Sequence, residues 1–332
     1  MVACRKVPYE PAEVAGMLIS TRENSMVKIR SFFLMILALA ACSAPKEAVI
    51  KEEVIINQYA APVLIPGTSS EMNSAGYWIG IHADPDRIVI PQEKIADFNR
   101  SIRKDTKMVQ DLTAYQLGMK GSRLSGLLKS SFKDISASKY VLADGSKAQA
   151  PFFRAIEKQM NIPAIPLSVT VRFGFVTAYT SQRLLPTDIG LFENRKSLEI
   201  DRLQNSSLDI GTPLAILHAT RDGKWVFVVS PLSEGWIMAE HMGFCTRDDL
   251  AGYLGSTPFY VTIGAKTDVF LDNAMRDHHS YIHMGSRFPV AQLKEQPVNP
   301  GAVGILLPFR DADGVCESVS YTHLTLPTKR IV

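Results

Sequence analysis

The spacing of apolar residues changes at Pro163 and Pro166. Before these prolines they recur three and four apart: Ile95, Phe98 and Ile102; Leu124, Leu127, Leu128 and Phe132; Phe152, Phe153, Ile156 and Met160. Such spacing lines one face of a helix. It predicts helices over 90–102, 107–118, 123–133 and 151–160, the first with Pro91 in its opening turn, where the missing N–H is no loss. Another helical segment starts at Tyr77-Trp78-Ile79, ahead of a turn at Asp84-Pro85-Asp86. After the prolines the period becomes two. Val169, Val171, Phe173 and Phe175 alternate with Thr170, Arg172 and Gly174, the pattern of a half-buried strand. Strands over 213–219 and 225–230 flank Thr220-Arg221-Asp222-Gly223-Lys224, a tight hairpin centred on Asp-Gly. Residues 234–237 add a short strand. So many short strands and turns within about 70 residues predict a small barrel. After a short helical linker over 246–254, strands at 259–262, 267–271, 281–290 and 304–308 predict a second barrel of related design, whose completeness the pattern leaves open. The fold class is α+β and multidomain.

The two ends read differently from the middle. Lys28 and Arg30 precede the apolar run from Phe32 to Ala41, which is about 10 residues long where roughly 20 are needed to span a bilayer. A positive flank, a short apolar stretch and a small-residue exit make a secretory signal. The exit, Leu39-Ala40-Ala41-Cys42, resembles the lipobox of bacterial lipoproteins, which implies that Cys42 becomes the acylated first residue of the mature chain, held by more than one acyl chain. Ser43 after it, rather than Asp, points by the same resemblance to the periplasmic face of an outer membrane. Met26 is then the expected start, and residues 1–25, with Glu10, Glu13 and Glu23, a start assigned too early. At the far end, Val319 to Thr328 resembles the in-frame translation of a common transposase-based sequencing adapter. The biological sequence is therefore expected to stop being readable near Glu317, and Tyr321 and His323 are set aside as site residues.

The expected organisation is a signal peptide at 26–41, a Pro- and charge-rich tether at 42–67, a helical domain at 68–166, a first barrel at 167–243, a linker at 244–257, a second barrel at 258–317 and a foreign tail at 318–332. Over the 332 residues, 36 Lys and Arg face 33 Asp and Glu, a formal charge of +3. Removing residues 1–41 leaves 31 against 30. That balance speaks against a nucleic-acid partner. Cys4, Cys42, Cys245 and Cys316 are too few for a disulfide scaffold, and none forms a Cys-x-x-Cys pair.

Several stretches carry a family resemblance: Tyr77-Trp78 with Asp84-Pro85-Asp86-Arg87, Ile90 to Asn99, Leu184 to Asp188, Asp201 to Leu208, Gly211-Thr212-Pro213, Asp222 to Val228, Gly235-Trp236-Ile237 and Met284 to Pro289. Together they resemble the NlpC/P60 cell-wall peptidases with tandem bacterial SH3 domains, over roughly residues 70–317. The resemblance implies that both barrels are SH3-like. It also implies that chemistry belongs to a C-terminal papain-like domain, in which a cysteine thiolate paired with a histidine attacks a peptide carbonyl. The implied substrate is the peptidoglycan stem peptide, cut after its γ-linked D-glutamate. The sequence ends before such a domain would begin, so the expectation is a non-catalytic portion of a truncated endopeptidase, partnered in cis by that domain. The alternative is a peptidoglycan-binding lipoprotein with no catalytic activity.

Candidate binding residues are the aromatics Tyr179, Trp225 and Trp236, which could meet a wall ligand. Arg183, Asp188, Asp201 and Arg202 would, by the resemblance, reach a cleft shaped by the first barrel. Trp225 also alternates with Phe227 and Val229 as a core residue would, and Asp201-Arg202 could be only a structural ion pair with each other. Cys245, just ahead of a short helix with His241 nearby, reads as a packed small residue rather than a nucleophile. A Cys245–Cys316 disulfide is a further possibility. His278, His279 and His283 read as a surface loop, not a metal site. The sequence calls for no cofactor.

Overall fold

The computed structural model describes residues 64–106, 108–272, 274–291, 302–324 and 328–331. The expected signal peptide, Cys42 and nearly all of the tether lie outside them. Residues 64–86 belong to one unit and 87–332 to a second. In the first, α1 (Ala75–Gly80) is capped by Ser74, whose hydroxyl accepts from the Tyr77 N–H.

In the second unit α2 (Gln92–Thr106) follows Pro91 as expected, yet none of its residues is buried, and Ile95 and Phe98 are exposed. The helix expected over 107–118 reduces to one 3-10 turn, Leu112–Ala114. There the Asp111 carboxylate accepts from both the Thr113 N–H and its hydroxyl, the local competition by which Asp draws a backbone away from a longer helix. Strand β1 (Gly118–Lys120) leads into α3 (Gly121–Ser136), and α4 (Ala150–Met160) follows. Leu124, Leu128, Phe153, Ile156 and Met160 turn inward, as their period predicts. Gly121 permits the entry to α3: a Cβ there would lie 1.8 Å from the Pro166 carbonyl oxygen.

The strand expected over 169–175 is divided. β2 (Ser168–Thr170) pairs with β1, and β3 (Arg172–Val176) enters the main sheet. Val171 sits at the break, donating to the Leu117 carbonyl. β4 (Thr180–Arg183), β5 (Gln204–Leu208), β6 (Pro213–Ala219), β7 (Trp225–Val229), β8 (Glu234–Met238) and β9 (Met242–Cys245) complete a seven-stranded antiparallel sheet in the order β5-β4-β8-β7-β6-β3-β9. The β6–β7 hairpin is held by Asp222, which accepts from the Thr220 hydroxyl and the Lys224 N–H, with Gly223 at φ +70°. At such a φ a Cβ would be strained.

Every residue of β7 is buried, and so are Phe173 to Val176 of β3. The half-buried expectation fails because the sheet is covered on both faces. Val176, Leu214, Ile216, Val226, Val228 and Ile237 make one cluster. On the opposite face Phe173, Leu217, Trp225 and Phe227 join Leu124, Phe153 and Met160 of the helices in a single core.

Helix α5 (Arg247–Gly255) begins with a capping box, Thr246 and Asp249 bonding each other's backbone N–H. It does more than link. Leu250 and Tyr253 are buried, the Arg247 Nε–H donates to the Thr113 carbonyl at 2.8 Å, and the Tyr253 hydroxyl donates to Leu306 O at 2.8 Å. Beyond it lie β10 (Phe259–Thr262), β11 (Lys266–Phe270), β12 (His278–His283), β13 (Arg287–Pro289), β14 (Val303–Arg310), β15 (Cys316–Leu324) and β16 (Thr328–Ile331). They form sheets ordered β13-β10-β16 and β12-β11-β15-β14. Val269, Ile282, Phe288, Ile305 and Leu307 fill their core with Ile210 from the first barrel. The terminal stretch expected to be foreign thus pairs as strands. Alternating sequence placed beside an open strand edge pairs readily whatever its origin. Among the described residues no helix is long and apolar enough to cross a membrane.

Candidate ligand cleft

Tyr179 lies in the short loop between β3 and β4, where it is 48% exposed, and its ring stands 5.4 Å from that of His283 on β12. Strand alternation turns Ile282 into the core and leaves Tyr281 and His283 on the outer side. Tyr179, Lys266, His278, His279, Tyr281 and His283 line an open cleft of about 410 Å³. Lys266 Nζ approaches the face of Tyr281 at 5.6 Å, and the His278 and Tyr281 rings are 4.7 Å apart.

Two carboxylates orient the histidines. His283 Nδ1 is 2.7 Å from Asp209 Oδ1, and His278 Nε2 is 3.1 Å from Asp268 Oδ1. An ionised carboxylate only accepts, so each of these ring nitrogens donates, leaving the other nitrogen of a neutral ring as an acceptor. The Ser286 hydroxyl also donates to Asp209, at 3.4 Å. Burial lowers the His279 pKa below the ordinary imidazole value, assisted by His278 beside it. The result is a set of rings carrying polar edges, an arrangement able to stack on a sugar or peptide plane and hydrogen-bond its rim. The strand expected from Tyr281 begins earlier, at His278, so all three histidines read as a surface loop sit on it, and no metal-holding group of His, Cys, Asp and Glu occurs among the described residues.

The other sequence-derived candidates lie elsewhere. Arg183, 6% exposed, donates from Nη2 to Asp201 Oδ2 at 2.8 Å and to Ile189 O at 3.2 Å. Asp201 Oδ1 accepts from the N–H groups of Leu191 and Leu203. This pair braces the long β4–β5 connection from inside. Arg202 pairs with Glu193 on the surface, and Asp188 is exposed. Trp236 is fully buried, with Phe227 at 5.5 Å and His218 at 6.1 Å, and Trp225 is 9% exposed. Both tryptophans are core residues here, and Tyr179 is the surface aromatic of the three. Cys245 is half-buried, and burial pushes its thiol up to about 12, with Cys316 nearby as a lesser cause. A thiol held so firmly protonated is a poor nucleophile.

Asp209, Lys266 and Asp268 were not among the sequence candidates. The alternation of His279, Tyr281 and His283 about a buried Ile282 was the one local signal for that face.

Residues 191–238 match the SH3 domain of SH3b1 type. The fold is similar to that of an NlpC/P60 endopeptidase from Photobacterium damselae subsp. piscicida, with a TM-score of 0.57 and 17% identity. The similarity covers 74% of this chain but only 55% of the other. Comparison with curated proteins gives no significant sequence match.

Proposed function

We propose that this chain is the anchoring, targeting and cleft-shaping portion of a peptidoglycan stem-peptide cysteine endopeptidase of the γ-D-glutamyl-diamino acid type, tethered through acylated Cys42 to the periplasmic face of the outer membrane. The observation that carries the reading is the SH3b1-type match over 191–238 within a fold shared along 74% of the chain with an NlpC/P60 endopeptidase. The Tyr179–Tyr281 cleft supplies the surface on which glycan-linked peptide would rest. Its two exposed tyrosines offer flat apolar faces, while His283, His278 and Lys266 offer polar edges. A second reading, a wall-binding lipoprotein with no catalytic partner, is favoured by one feature: the whole ring set lies on the two barrels and needs nothing from a further domain.

Co-sedimentation with purified peptidoglycan sacculi tests both readings. Each aromatic contact is worth about 0.5–1.5 kcal/mol, so Tyr179→Ala together with Tyr281→Ala should weaken binding roughly tenfold or more. Wild-type chain that stays in the supernatant, or a double variant that binds undiminished, would remove the wall-binding role. Appending an NlpC/P60 peptidase domain separates the readings. Under the first, stem-peptide cleavage by the fusion falls when Tyr179 and Tyr281 are lost; under the second it is indifferent to them.

A further inference from the structure

Where α3 and α4 meet the β6–β7 hairpin lies a cleft of about 750 Å³, sharing no lining residue with the aromatic one. It is lined by Lys129 of α3, by Arg154, Glu157 and Lys158 of α4, and by Arg221 of the β6–β7 hairpin, over a floor that includes Ile162 and Pro163. Four cations face a single carboxylate, in a chain whose total excess is only +3. Among the described residues none of the four cationic side chains, nor Glu157, makes an ion pair or a hydrogen bond, so no carboxylate neutralises the group. The hairpin is fixed over the helix by the Arg221 N–H donating to the Gln159 carbonyl, so Arg221 is brought to the cleft by backbone geometry.

Stability does not account for this grouping. Arg154 and Lys158 are like charges four apart on one helix, which costs a few tenths of a kcal/mol, and Glu157, three residues from Arg154, offsets no more than that, so the helix gains no net support from the group. The C-terminal end of α4 rewards Lys158 alone. Unpaired cations gathered from three separate elements are the complement of a ligand that brings several negative charges at once. Two guanidinium forks can each take two oxygens of a tetrahedral anion, with two ammonium groups neutralising the remainder. We infer that this cleft binds clustered phosphate groups, carried either by a soluble polyphosphorylated molecule or by an anionic lipid headgroup.

The test uses the full chain with Cys42→Ala, so that no acyl anchor contributes. Titration with tripolyphosphate and co-flotation with phosphatidylglycerol vesicles, against phosphatidylcholine vesicles, read the two sources separately. The pair Arg154→Ala and Arg221→Ala is compared with a remote pair of exposed lysines, Lys139→Ala and Lys196→Ala, and melting temperatures check that all variants fold. The expected result is binding that weakens at least tenfold in the cleft pair, changes less than twofold in the remote pair, and falls steeply with salt. If only tripolyphosphate binding responds, the source is soluble; if vesicle binding also responds, the headgroup is a ligand. Absence of binding to both probes at millimolar concentration, or equal weakening by the two variant pairs, would overturn the inference. Loss of the aromatic cleft leaves all these readings unchanged, so the two sites fail independently.

Discussion

Replacing Asp201 by Ala decides whether the Arg183–Asp201 pair is a brace or a ligand contact. The Arg183 side chain is 7% exposed and that of Asp201 22%, so the substitution strands a guanidinium in the protein interior. It also strips an acceptor from the Leu191 and Leu203 N–H groups. Breaking one partner of a buried pair costs about 3–5 kcal/mol. Asp201 retains some solvent access, so the lower end, about 3 kcal/mol, is expected. Asp201→Asn keeps an oxygen for both N–H groups and should cost about half as much. Arg183→Met removes the buried cation itself, including its Nε, which has no hydrogen-bond partner among the described residues. Combined with Asp201→Ala, it should therefore recover part of the loss. Urea unfolding of the four proteins, read as a double-mutant cycle, measures the coupling. A cost below about 1 kcal/mol for Asp201→Ala, or strict additivity, would refute the brace and return both residues to the candidate ligand contacts.

Other expectations rest on single groups. The native chain should resist alkylation of Cys245 at pH 8, becoming labelled only on unfolding, because burial holds that thiol near 12; mass spectrometry after an iodoacetamide pulse reads this. His218 has its pKa lowered by burial, so the folded state favours the neutral ring. Its contribution is complete above the unfolded value near 6.5 and is lost as pH falls from there through the lower folded value. His218→Gln should flatten the decline in melting temperature between about pH 7 and pH 5. Gly174→Ala would place a Cβ 2.3 Å from the Gly243 carbonyl oxygen, a backbone collision expected to cost about 3 kcal/mol or more in urea unfolding. For the anchor, Cys42→Ala should abolish incorporation of labelled palmitate and release the chain from membranes; label retained in the variant would exclude acylation at Cys42.

What the sequence made legible was whatever local chemistry decides. The Asp222-Gly223 hairpin forms where a carboxylate and a positive φ require it, and α3 and α4 bury the faces their spacing marks. What it concealed was long-range. Nothing local in the alternation of Val169 to Phe175 tells that helices would cover one face of the strand while the barrel interior covers the other. Trp225 and Trp236 could be read as ligand platforms for the same reason: an aromatic's neighbours decide its role, and those neighbours come from elements far along the chain. The Tyr179–Tyr281 cleft was hidden further still, since His283 meets Asp209 across a separation of 74 residues. Only the paired barrels bring them together.

The shared core of helices and sheet bears on how such proteins can be shuffled. A gene rearrangement that carried off 167–243 as a cassette would bare Phe173, Leu217, Trp225 and Phe227 along one continuous side of the sheet. Exposed apolar area of that kind invites self-association before any partner is met. The heritable module is therefore larger than one barrel: it begins no later than α3, and an SH3-like unit of this kind travels with its helical cover or aggregates without it.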